Sequence, residues 1–338
     1  MLGMNVFDED DAFSLQTLTA KINDQPYVPG QISKSGLFEE DGVATTMISI
    51  EKDGMTLGIV EPSPRGGPGE TSGDDGRSLT PFLIDHFQRD ESIKADEVQN
   101  VRAFGTVSEV EELQTRVVRK MDKHLLHLDM TVEHLRVGAL KGIVTSGKGR
   151  VLHDLYSRFE IPVPASIPLS LDQNEARVDE ILEKDVTWSI EDSLDSFYDG
   201  FHVFSGRELH LMLWNHPRLR ETFLSTSGAE ALRGPVPDVF QLGKFTFERY
   251  RTGAKATLAA GAAFIADNEA RVVPKGAPGL FITRFAPADY EETVNTPGLP
   301  RYMKQYALPG GKARMVEVQS NPINICTKPQ ALRRLTIN

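Results

Sequence analysis

One stripe of apolar side chains limits what this chain can fold into more than any other feature. Val110, Leu113, Val117, Met121, Leu125, Leu128, Val132 and Leu135 recur three or four residues apart, the period of a single helix face. Ser108 with Glu111 makes a capping-box start, and Gly142 follows the expected end near Leu140. At about 1.5 Å per residue such a helix is roughly 50 Å long, a backbone against which a sheet can lie. Leu126, Met130 and Val137 add a second apolar row near its C-terminal end, which predicts burial on both sides there.

Upstream, Phe13, Leu15, Leu18 and Ile22 stand near helical spacing within Asp10 to Asn23, until Pro26, Pro29 and Gly30 break the pattern. This reads as an arm. Thr46 to Glu61 alternates in the manner of a strand, and a second extended run begins near Leu79. Between them, Glu61 to Gly76 holds little but Gly, Pro and charge, so a long hairpin with a mobile tip is predicted. Limbs of this kind lack a core of their own, so neighbouring copies are expected to cover them.

Downstream, GIVTS, the turn GKGR with Gly147 and Gly149, and VLHDLYSRFEI read as a β-hairpin ending at Ile161. A helix fits Asn174 to Leu194, and a short strand fits His202 to Phe204. Ser205 with Glu208 then suggests a capping box for a helix towards Trp214. FQLGKFTFERY, AAFIAD, ARVVP, LFITRF and MVEVQSNPINICTK are strand-like, and the class is α+β.

Composition excludes several functions. With 37 basic against 48 acidic side chains the formal charge is −11, which disfavours sequence-specific nucleic-acid binding and anionic membranes. The single cysteine, Cys326, closes no intrachain disulfide and behaves as a small hydrophobe in an apolar strand. The acidic start does not fit a secretory signal, and no apolar run reaches membrane-spanning length, so a cytoplasmic site of synthesis is expected.

The candidate chemistry is thin. Gly142 to Lys148 imitates a phosphate loop, but a helix precedes it, a strand follows it, and Gly149 stands where Ser or Thr would hold magnesium. His124, His127 and His134 share the long helix without an evident further metal ligand. His202, His210 and His216 flank Ser205, but no nucleophile turn frames it. No catalytic residue, cofactor or metal site is predicted, and a metal- or nucleotide-dependent oligomeric enzyme is the remoter alternative.

Several stretches carry a family likeness: Leu18 to Phe38, Ser63 to Gly69, Leu140 to Gly147, Phe285 to Tyr306 and Val316 to Leu335. They resemble the major capsid proteins of the phage lambda type, the phage major capsid protein E family with its HK97-like fold. The resemblance implies an N-terminal arm at residues 1–44 and an extended loop with flanking strands at 45–105. It implies a peripheral domain with spine helix and hairpin at 106–165, a mainly axial domain at 166–310, and a return strand and C-terminus at 311–338.

The implied function is a virion shell of pentamers and hexamers, assembled in the host cytoplasm around double-stranded DNA. Portal, scaffold and decoration proteins are its implied partners, and a cargo shell of the encapsulin type is the nearest alternative. Arg65, Gly66, Gly67, Gly69, Asp74 and Asp75 at the loop tip are the expected inter-subunit contacts. Gly105 and Gly138 are expected to ease bending beside or within the spine.

Overall fold

The computed structural model describes residues 6–24, 30–52, 78–95, 109–194, 196–224, 235–251 and 264–338. The chain divides into two compact units, one of residues 1–47, 83–136 and 282–324 and one of residues 48–82, 137–281 and 325–338. The spine helix runs over Glu109–Lys141, close to its predicted limits.

In the first unit the spine packs against an antiparallel sheet of β4 (Phe87–Lys94), β14 (Ala313–Ser320) and β13 (Tyr302–Ala307), with β14 in the middle. Ile93, Met303, Val316 and Val318 from the sheet join Leu113, Val117, Met121, Leu125 and Leu128 from the helix in one core. A second small sheet orders β1 (Glu39–Gly42), β12 (Phe281–Phe285) and β15 (Pro322–Cys326). β1 lies parallel to β12, with Glu39 opposite Ile282.

The same core contains Phe7, Phe13, Leu18 and Ile22. The predicted arm helix therefore exists, over Leu15–Asn23 with Ser14 as its N-cap, but it does not wait for a sister molecule to bury it. Each such side chain contributes about 1.5–3 kcal/mol when withdrawn from water, and here its own unit supplies that burial. The expectation that copies cover this limb is corrected for these residues.

In the second unit a six-stranded mixed sheet runs in the order β7 (Ile167–Pro168), β16 (Arg333–Thr336), β11 (Glu269–Lys275), β8 (Gly200–Ser205), β10 (Phe245–Arg249), β9 (Val239–Leu242). β8 is parallel to β10 and antiparallel to β11. Helices at Val178–Glu191 and Arg207–Asn215 bury Val178, Leu182, Val186, Leu209 and Leu213. β2 (Met47–Lys52) pairs with β3 (Ser78–Leu83), the base of the predicted projection, while its tip lies outside the described residues.

Other expectations need correction where a nearby group outbids local propensity. The hairpin after the spine is β5 (Ile143–Thr145) with β6 (Val151–Asp154), but its second strand stops at Asp154. The Asp154 side chain accepts from the Ser157 amide and caps a helical turn, Leu155–Arg158. Of the two turn glycines only Gly149 takes a left-handed backbone, at φ 83°. The helix expected from Asn174 begins at Val178, because the preceding amides of Gln173 and Ala176 close turns instead. Residues 264–267 of AAFIAD are no strand, although Phe264 and Ile265 are buried. The predicted single strand of MVEVQSNPINICTK breaks at Asn321, whose carbonyl accepts from the Ala286 amide.

Two features of the spine also differ. Leu126 is exposed, so its half of the helix is not apolar all round, whereas Val137 is buried. Gly138 sits in unbroken helix, and a β-carbon there would lie 2.8 Å from the Val144 Cα. Its glycine is needed for close approach of β5. Gly105 lies outside the described residues.

Candidate functional site

Arg65, Gly66, Gly67, Gly69, Asp74 and Asp75 all lie outside the described residues. What the first unit shows is a row of buried ionic side chains on the spine, Asp129, Glu133 and Arg136, spaced four and three apart and thus on one helix face. Each one holds a different segment.

Glu133 acts as a helix cap supplied from a distance. The short helix Gln31–Lys34 starts at Gly30, which has no side chain to cap it. The Glu133 carboxylate takes that place, accepting from the Ile32 amide at 2.9 Å, the Ser33 amide at 3.1 Å and the Ser33 hydroxyl at 2.8 Å. A β-carbon at Gly30 would lie 2.0 Å from the Glu133 Cδ, so a larger residue there would have to displace the capping carboxylate.

Asp129 receives the Arg301 guanidinium in a two-pronged bond, Nε to Oδ1 at 3.0 Å and Nη2 to Oδ2 at 2.6 Å. Arg301 also donates to the Ile22 carbonyl at 3.2 Å, which ties the end of the arm helix to the same pair. Arg136, only 2% exposed, donates to Glu40 at 2.6 Å and to Thr283 and Asn324 at 3.4 Å each. Its guanidinium also lies over the Phe38 ring. In the last turn of the arm helix Lys21 donates to Gln114 at 2.6 Å, and nearer the start of the arm Arg314 pairs with Asp8. These bonds hold the arm against its own unit and offer no reacting atom.

The histidines on the spine are likewise structural. His124 contacts Glu91 at 2.9 Å beside Lys120, and His127 is exposed. Among the described residues no group of three or more His, Cys, Asp or Glu is placed to hold a metal, and no helix is long and apolar enough to cross a membrane. Residues 142–148 form the turn that follows the spine, β5 and the start of the next turn. Cys326 is fully buried, and burial pushes its thiol up to about 12, which leaves it inert as a nucleophile.

Ser205 does meet a histidine, in a way the sequence did not suggest. It is the last residue of β8, and Gly206 is the N-cap of the following helix. Its Oγ lies 2.7 Å from His210 Nδ1 and 3.1 Å from the Glu248 carbonyl, while His210 Nε2 is 2.9 Å from the Pro237 carbonyl. A carbonyl accepts only, so Nε2 carries the ring proton, and the single serine hydroxyl proton is shared between two acceptors, His210 Nδ1 and the Glu248 carbonyl. Both side chains are wholly buried, so this pair pins a strand, a helix and a loop together and reaches no substrate.

Burial holds the His210 imidazole below its ordinary pKa, with the Arg249 charge adding to the effect. An unfolded histidine titrates near pH 6.5, so below that pH the unfolded chain gains a proton that the folded chain resists. Stability from this residue is thus present above about pH 6.5 and lost as the pH falls. Urea titrations near neutrality and about two pH units lower are expected to show a smaller acid loss in His210→Gln than in the parent. Equal losses in the two proteins would remove His210 from the account.

In the second unit, Glu269 is 6% exposed and accepts from Arg334 at 2.8 Å and Arg271 at 3.2 Å, with Lys141 at 3.8 Å. Burial pushes its carboxyl up, but the three cations override that and hold it below the ordinary range. Both units also carry exposed apolar side chains, Leu83, Val294 and Tyr306 in the first and Trp188 and Phe197 in the second, with Phe197 92% exposed. Large aromatics left in water are the type that anchors protein contacts.

Comparisons with known proteins give the family. The chain is 26% identical to the major capsid protein of Salmonella phage Felix O1, over 96% of each chain. It is equally identical to that of Pseudomonas phage KPP10, over 90% of this chain and 91% of the other. A crystal structure assigned as a capsid protein of an E. coli CFT073 prophage matches with a TM-score of 0.56 at 13% identity, covering 99% of this chain and 97% of that one. That likeness bears out the α+β, HK97-like capsid fold. The family profile for phage major capsid protein E matches residues 14–337, and the chain belongs to that family, as a structural protein of a virus shell and not an enzyme.

Proposed function

We propose that many copies of this chain close into the icosahedral head of a tailed phage, as pentamers and hexamers around double-stranded DNA. The match to the family over residues 14–337 carries this reading. The net charge of −11 supports an interior that holds packed DNA without binding it sequence-specifically. Many interfaces of modest strength add up to a durable shell through individually reversible steps.

In this reading residues 1–44 are the arm, 45–105 the extended loop, 106–165 and 311–338 the peripheral domain with spine and return strand, and 166–310 mainly the axial domain. The tip at residues 61–76 lies over a neighbouring subunit. Arg65 pairs with acidic groups there, Asp74 and Asp75 meet basic ones, and Gly66, Gly67 and Gly69 allow close backbone approach. Assembly takes place in the host cytoplasm with a portal, a scaffold and, on the outside, decoration proteins.

Electron microscopy of the expressed chain tests the reading. Closed particles are expected for the parent and their loss when residues 64–69 are replaced by alanine. Normal particles from that variant would refute the role given to the tip, and a parent that stays monomeric under all conditions would refute the shell.

A further inference from the structure

An acidic chain has little reason to collect cations around an open cavity, yet the second unit does so. Lys141, Arg271, Arg333 and Arg334 line a cavity of about 430 Å³, together with Tyr156. Lys141 closes the spine helix, Arg271 comes from β11 and the two remaining arginines from β16. Arg271 and Arg334 stand directly opposite each other across the antiparallel ladder, a like-charge pairing that destabilises a sheet unless something offsets it.

Glu269 is the carboxylate in contact with Lys141, Arg271 and Arg334, so one negative charge faces three positive ones. Arg333 is spent on neutral oxygens, among them the Ser189 hydroxyl at 2.8 Å and the Leu332 carbonyl at 3.0 Å. The Nε of Arg271 is buried and has no hydrogen-bond partner. A buried N–H without an acceptor is costly. Burial and the neighbouring arginines also depress the Lys141 ammonium, the response of a cation in an electropositive site.

We propose that this cavity is an anion site that takes a phosphate group, seated between Lys141, Arg271 and Arg334. The excess of two positive charges over Glu269 matches a doubly charged phosphate better than a single carboxylate. The forked guanidinium groups suit its several oxygens. The phosphate comes either from a free ion or from a nucleic-acid backbone, and backbone contacts require no base recognition. The site stands or falls apart from shell formation, because it is built within one unit of one chain.

Titration calorimetry of the full chain with pyrophosphate, at constant ionic strength set with chloride, tests the site. Saturable binding of one pyrophosphate per chain is expected. Arg334→Gln alters a half-exposed side chain, is expected to fold, and should weaken binding about tenfold. Lys141→Gln should do the same, while Lys312→Gln, a surface change in the other unit, should leave the affinity within about twofold. A short DNA duplex in a second titration separates the sources. Competition by the duplex, lost in Arg334→Gln, assigns the backbone, and a duplex that fails to compete assigns the free ion. No saturable binding, or equal affinity in the parent and both cavity variants, overturns the proposal.

Discussion

Asp129→Ala is expected to destabilise the protein by about 3–5 kcal/mol, because it strands the Arg301 guanidinium in a buried site. Both partners are nearly closed to solvent, at 6% and 7% exposure of their side chains, and the bond is two-pronged. A surface pair would matter little, but a buried cation without its counterion is held at the full cost of its desolvation. Urea denaturation reads the loss directly. A double variant, Asp129→Leu with Arg301→Met, should recover most of it, since apolar side chains of similar volume often replace a buried pair at little cost. If the single variant unfolds within about 0.5 kcal/mol of the parent, the pair does not carry the arm helix in the way its geometry implies.

Glu133→Ala is expected to release the segment around Gln31–Lys34 at a cost of about 3 kcal/mol, since it deletes one acceptor that serves three donors. Ile32 is fully buried, so its amide cannot simply turn to water. The signature is local: hydrogen exchange at Ile32 and Ser33 should accelerate far more than exchange at the spine amides near Leu113. Glu133→Gln keeps the shape and one acceptor oxygen and should lose about half as much. Unchanged protection at both amides in Glu133→Ala would show that packing alone holds the segment.

These two sites show why the functional geometry was only partly legible in the sequence. The spine was readable because its apolar row is a local pattern, and the buried residues from Leu113 to Leu135 follow it. The row Asp129, Glu133, Arg136 obeys the same spacing, and its position in a half predicted to be buried was an available signal for buried ionic partners. Their partners were not readable. Ile32 lies 101 residues from Glu133, and Arg301 lies 172 from Asp129, and no periodicity carries such information.

The same reason explains the errors. Ser205 has a cap-like spacing to Glu208, but β8 pairs with β10 and β11 right through Ser205, and two ladders outweigh one capping bond. β1 has the sequence EEDG, with three exposed residues, and is a strand only because β12 lies beside it. The loop-tip residues from Arg65 to Asp75 belong to the proposal and not to the described structure.

By itself the sequence determined the elements whose causes are local: the spine, the arm helix, the hairpin after the spine and the acidic surface. Their residues meet neighbours three or four positions away, or one turn away, whatever the rest of the chain does. Only the tertiary structure decided that the arm rests on its own spine, that glycines at 30 and 138 mark contacts, and that cations gather around Glu269. Those outcomes depend on pairs far apart in the chain, whose burial and charge are set when the folded surfaces meet.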